Sequence, residues 1–150
     1  MMGISGGGNG TEMQAKAPAL DGPKGSGGPG MQCSVQFLSD TQGVDFTSYI
    51  ITRLLATLKR NWYAVMPESA NKGDKGVVYT TFQISPDGSV PAPDPVLERT
   101  SGKDPLDNAA LAAIRASNPF KPLPSQFHGP SLKLRIAFVY NIPIDRVPLR

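Results

Sequence analysis

The sequence predicts an α+β fold, a three-stranded antiparallel sheet with two helices packed on one face. Three observations carry this. Apolar side chains recur at three- and four-residue steps from Asp45 to Met66; Val77–Ser85 and Leu132–Tyr140 alternate at the period of a strand; and a helix start sits between those strands at Asp104. The resulting order is helix, strand, strand, helix, strand.

In the first helix, Ile51, Leu54, Leu55, Leu58, Trp62 and Val65 form an apolar stripe, while Thr52, Arg53, Lys59 and Arg60 fall on other faces. Asp45 suits the N-cap and Pro67 the stop. The stripe needs a sheet or a second helix to cover it. Trp62 continues that stripe, so it is read as core in preference to a surface anchor. Asn71–Gly76 reads as a loop, Val77–Ser85 as a strand, and Pro86-Asp87-Gly88 as a hairpin turn in which glycine supplies a positive φ.

A second strand is expected over Val90–Leu97. Its Pro91, Pro93 and Pro95 alternate with Ala92, Asp94 and Val96, so the missing N–H groups all fall on one lateral side. This strand is expected to be a blocked edge. Asp104-Pro105-Leu106-Asp107 starts the second helix, with Asp104 as N-cap and Pro105 at the first helical position. Helix capping explains both acids better than a pair of catalytic carboxylates does. Pro119–Pro124 ends this helix in a stiff extended loop. In the last strand Leu132, Leu134, Ile136, Phe138 and Tyr140 alternate with Lys133, Arg135, Ala137 and Val139.

The chain therefore divides into a flexible Gly/Pro-rich linker over 1–31, a further linker or short extended segment over 32–44, the domain over 45–142, and a tail over 143–150. Ten of the 16 glycines lie in the first thirty positions, which offer almost no apolar side chains to offset the entropy of ordering them. Gln32–Leu38 is a candidate short extended piece.

Composition narrows the function. The net charge is +3, but the cations are spread along the chain and do not alternate with exposed aromatics, so no nucleic-acid partner is expected. Cys33 is the one cysteine and can form neither an internal disulfide nor a zinc site by itself. His128 is the one histidine and has no convergent Cys, Asp or Glu partners in the sequence. No cofactor, metal or enzymatic activity is expected. No apolar run is long enough to cross a membrane, and Met1–Ser5 lacks a signal-peptide pattern. An exported protein would need its targeting segment ahead of Met1.

Val78-Tyr79-Thr80-Thr81-Phe82-Gln83-Ile84 precedes Pro86-Asp87-Gly88-Ser89-Val90. Then come Ser101-Gly102, Leu106-Asp107-Asn108-Ala109-Ala110, Ala113-Ile114-Arg115, and Asn118-Pro119-Phe120-Lys121-Pro122-Leu123-Pro124 before Leu132–Asn141. In this order and spacing the segments resemble the TonB/TolA C-terminal domain family over roughly Asp45–Asn141. Leu38–Phe46 is similar to a subgroup of that family.

The resemblance implies a periplasmic domain that binds the TonB-box peptide of outer-membrane transporters. It also implies an N-terminal inner-membrane anchor, not contained in this chain, that couples to an ExbB/ExbD-type motor driven by the proton gradient. A TolA-like envelope interaction protein is the alternative, since Lys59-Arg60-Asn61-Trp62 looks more like TolA. Met66-Pro67-Glu68-Ser69-Ala70 departs from the Tyr-Pro-x-x-Ala motif of TonB proteins. Asn71 stands where TonB has a glutamine that meets its receptor peptide.

The residues also point to β-augmentation on their own account. With Val90–Leu97 blocked by proline, Leu132–Tyr140 is the edge expected to be open. The main chain of Arg135, Ala137 and Val139, or of the neighbouring Lys133 and Tyr140, would carry the contact. Which parity faces outward is open, as is a homodimer that exchanges edge strands.

Overall fold

The computed structural model describes residues 30–142 and the backbone of Leu20–Asp21. Apart from those positions, the linker expected over 1–31 and the tail over 143–150 lie outside the described residues. The strands are β1 (Leu20–Asp21), β2 (Met31–Phe37), β3 (Gly76–Ile84), β4 (Val96–Arg99) and β5 (Leu132–Tyr140). The helices are a π-helical segment over Tyr49–Leu55 running into α1 (Ala56–Ala64), a short α2 (Glu68–Asn71), and α3 (Asp104–Ser117).

The fold is α+β as expected, but the sheet has five strands in the order β1-β2-β5-β3-β4, all antiparallel. The two added strands lie beyond β5. The segment read as linker or short extended piece is a full strand, β2, which pairs with β5 from Met31↔Tyr140 to Phe37↔Leu134. Its sequence alternates as a half-buried strand must. Cys33, Val35 and Phe37 face the core, and Gln32, Ser34 and Gln36 take the other face.

One face of the sheet carries the core. Met31, Cys33, Val35 and Phe37 of β2 join Val78, Phe82 and Ile84 of β3 and the even residues of β5 beneath the helices. Met31, Val35 and Phe37 are 0%, 0% and 1% exposed. At about 1.5–3 kcal/mol per fully buried apolar side chain, these three contribute about 5–9 kcal/mol. That is comparable with the whole net stability of a small domain, about 5–15 kcal/mol. By this measure β2 is part of the fold and not an appendage.

The first helix departs from its predicted face. The Asp45 carboxylate accepts the Thr47 N–H at 2.9 Å just ahead of the helix, but the N-cap of the π-helical segment is Ser48, which makes no side-chain cap bond. The backbone then takes the wider i→i+5 turn over Tyr49–Leu55, which rotates the inward side chains relative to a 3.6-residue period. Tyr49 and Ile50 are buried in place of Ile51, and Val65 at the far end is 39% exposed. Leu54, Leu55, Leu58 and Trp62 are buried as expected. Pro67 does not simply stop this helix; it sits at the N-cap of α2.

The proline-rich strand is also corrected. Residues 91–95 form a turn, and pairing with β3 begins only at Val96 and runs to Arg99. The missing proline donors prevent a regular ladder here. The Asp94 carboxylate takes the place of a ladder carbonyl, accepting the Gln83 N–H at 2.8 Å. At α3 the helix includes Asp104 from its first residue, and Lys103 occupies the N-cap without a side-chain bond. Asp107 instead ties the helix to the loop ahead of it, accepting the Ser101 N–H at 2.9 Å and the Ser101 hydroxyl at 2.8 Å, with Thr100 on its other oxygen. Asp107 sits one turn further in than Asp104, so its carboxylate can reach back over the preceding loop.

The hairpin after β3 is held by a third segment. Phe120 N–H donates to Gly88 O at 2.8 Å and Leu123 N–H to Pro86 O at 3.0 Å, while Phe120 stacks on Phe82 at 5.8 Å. Asn118 acts like an extra strand residue. Its Oδ1 accepts the Val90 N–H at 2.9 Å and its Nδ2 donates to Val90 O at 3.2 Å.

Candidate partner-binding edge

The expected site lies on β5, and the structure places β5 inside the sheet. Leu38 N–H donates to Lys133 O and Asn141 N–H to Gly30 O, so the odd residues of this strand direct their main-chain groups toward β2. The parity left open by the sequence is therefore the one built on Lys133, Arg135, Ala137 and Val139. These groups do face away from β3, but β2 pairs with that edge. The expectation of an open last strand is corrected for this reason.

The six expected contact residues do not form one surface. Lys133 is exposed, and its N–H is taken by Ser39 Oγ at 2.9 Å. Ala137 and Val139 are buried on the face opposite the helices, in a small cluster with Tyr79, Val77 and Ile142. Arg135 lies on that face as a clamp. Its Nε and Nη2 donate to the two Glu98 carboxylate oxygens at 2.6 and 2.8 Å, and its Nη1 donates to Gln36 Oε1 at 2.9 Å. The clamp thus links β2, β5 and β4 across the sheet, and the bond to Glu98 holds the guanidinium more firmly protonated than usual.

Tyr140 has the opposite parity and belongs to the core. Its hydroxyl accepts the Trp62 Nε1–H at 2.9 Å and donates to Leu106 O at 2.9 Å, joining α1, β5 and α3. Burial pushes its phenol pKa well up. Tyr140→Phe is expected to strand both partners, at about 1–3 kcal/mol each. Urea unfolding should show a loss of about 2–6 kcal/mol, and an unchanged midpoint would refute the bridge.

Asn71 is exposed at the end of α2. Its loop is tied to the end of β5 by Asn141, whose Nδ2 donates to Ala70 O at 2.9 Å and Asp74 O at 2.7 Å. The sequence reading missed Asn141, which is fully buried with φ 60°. An Asn directly after a strand is a recognisable signal for such a left-handed position.

Beyond β5, the next edge belongs to β2. Gln32, Ser34 and Gln36 stand opposite Val139, Ala137 and Arg135, so they make the ladder bonds to β5. Met31, Cys33, Val35 and Phe37 consequently turn their main chains outward. There β1 meets only Cys33 and Gln32, and among the described residues no strand lies beside Ser34–Phe37.

A surface cleft of about 440 Å³ near the helix start is lined by residues including Asp45, Ser48, Tyr49, Arg53 and Lys121. Among the described residues no group of three or more His, Cys, Asp or Glu could hold a metal ion. No described helix is long and apolar enough to cross a membrane.

The family model of the TonB C terminal matches residues 47–138, and the chain belongs to that family. Neither a curated protein nor a solved structure matches the chain. TonB C-terminal domains are envelope-associated modules of interaction and energy transduction, not enzymes. β2 precedes the residues that the family model matches.

Proposed function

We propose that this chain is the periplasmic domain of a TonB-family energy transducer. In this reading it grips outer-membrane transporters by pairing a strand with their TonB-box peptide. It then passes on energy drawn from the proton-motive force by an ExbB/ExbD-type motor, reached through an N-terminal inner-membrane anchor. The family match over 47–138 carries the reading, and the mode of contact is supported by the alternation of main-chain groups toward the sheet edge. Two edges on this side are available to the peptide: that of β5 at Lys133–Val139, if β2 gives way, and that of β2 itself.

Titration of the isotope-labelled chain with a synthetic TonB-box peptide tests the reading. Amide shifts should follow one strand at the sheet edge. Shifts confined to Tyr49–Ala64, or none at saturating peptide, would count against it.

A further inference from the structure

We infer that the partner-receptive edge of this chain is the outer edge of β2, around Val35 and Phe37, and not that of β5. The inference rests on the transporter reading above and fixes where the partner's extended segment lies.

Two strands stand in the way of an incoming segment, and they differ sharply in how firmly they are held. Reaching β5 means removing β2, whose seven residues pair with Leu134–Tyr140 of β5 and whose Met31, Cys33, Val35 and Phe37 are all but fully buried. The Arg135–Gln36 bond would be lost as well. An arriving peptide would have to replace those core side chains in register. Reaching β2 requires none of this. The only described strand on its outer side is β1, paired at two positions, Leu20↔Cys33 and Asp21↔Gln32. That short pairing shows that the edge accepts an extended segment of chain, and two ladder positions are readily replaced by a longer one.

Val35 and Phe37 have a divided role. Their side chains anchor β2 in the core while their N–H and C=O groups point along the sheet to its outer side. The edge is therefore held rigid from behind, which limits the ordering cost of adding a strand. The opposite edge is a poorer candidate. There β4 has four residues, a register shift at Tyr79/Thr80, and a proline-bearing turn ahead of it.

A cross-link separates the two edges. Ser34 and Ala137 are small, directly opposed across β2 and β5, and lie on the face away from the helices. Cα atoms about 5.5 Å apart, as in a hydrogen-bonded antiparallel pair, fall within disulfide range. S34C/A137C in a C33A background locks β2 in place when oxidised, and the same protein reduced is the folding control.

With a synthetic TonB-box peptide, the oxidised and reduced forms are expected to bind with affinities within about threefold. Amide exchange at Val35 and Phe37 should slow by about tenfold or more, with no change at Arg135, Ala137 and Val139. Binding by the reduced form alone would overturn the inference and move the contact to β5, leaving the transporter reading intact. Binding by neither form would remove the transporter reading and this inference with it. Slowed exchange at Val35 and Phe37 that depends on protein concentration without peptide would assign the edge to a second copy of the chain, and so overturn it too. Val35→Pro deletes one outward donor and also changes a buried side chain, so it is read against Val35→Ala, which changes the side chain alone; the proline variant should bind the peptide about tenfold more weakly than the alanine variant, and equal affinities would again count against the site.

Discussion

A chain truncated to begin at Leu38 is expected to lose cooperative folding, although it retains all of the residues that the family model matches. The missing strand removes three apolar side chains worth about 5–9 kcal/mol from a domain whose total stability is of the order of 5–15 kcal/mol. It also exposes the outward main chain of β5 along its length, together with the apolar floor formed by Leu134, Ile136 and Phe138. Such an edge invites pairing with other chains. Thermal melting by circular dichroism should show a broad transition or none, and sedimentation should show association. A truncated protein that melts within a few degrees of the full chain would mean that β2 is an ornament, and that β5 is after all available to partners.

The second large effect is expected at Gly88. This residue has φ +96°, and a Cβ built on it would lie 2.1 Å from the backbone oxygen of Phe120. Neither neighbour can swing aside, because Phe120 N–H is bonded to Gly88 O and its ring is stacked on Phe82. Gly88→Ala should therefore cost about 2–4 kcal/mol, combining left-handed backbone strain with displacement of the Pro119–Leu123 segment. Gly102 supplies the control. Its φ is +87°, but nothing lies within 4 Å of the added Cβ. Gly102→Ala should cost only about 1 kcal/mol. Chemical denaturation of the two variants measures the difference, and equal losses would show that the close approach at Gly88 is unimportant.

Much of the fold was legible because its signals are local. Leu132–Tyr140 was bounded to the residue by its alternation, and β3 was displaced by a single position. What the sequence could not supply was adjacency. Gln32–Phe37 already alternates polar with apolar, but nothing local says that its partner is β5, roughly a hundred positions further on. Missing that pairing turned an internal strand into an apparent edge, and every contact residue placed on β5 followed from it. The main-chain parity was undecidable for the same reason, since only a neighbour defines inside and outside. Tyr140 was more readable, because its even phase already aligned it with Leu134, Ile136 and Phe138. The π-helical turn hid the exchange of Ile51 for Ile50, since a template of 3.6 residues per turn has no place for it.

The burial of Cys33 makes the lone thiol a clock for the strand that carries it. It is wholly inaccessible, and desolvation raises its pKa far above the range in which a thiolate forms at neutral pH. Alkylation can proceed only from an opened state. Its rate, compared with that of the unfolded chain, therefore reports the free energy of opening around β2. If β2 belongs to the cooperative core, that free energy should equal the global value from urea unfolding, with and without a bound peptide. A markedly smaller value would reveal a strand that detaches alone, on a timescale that could then be read directly from the labelling curve.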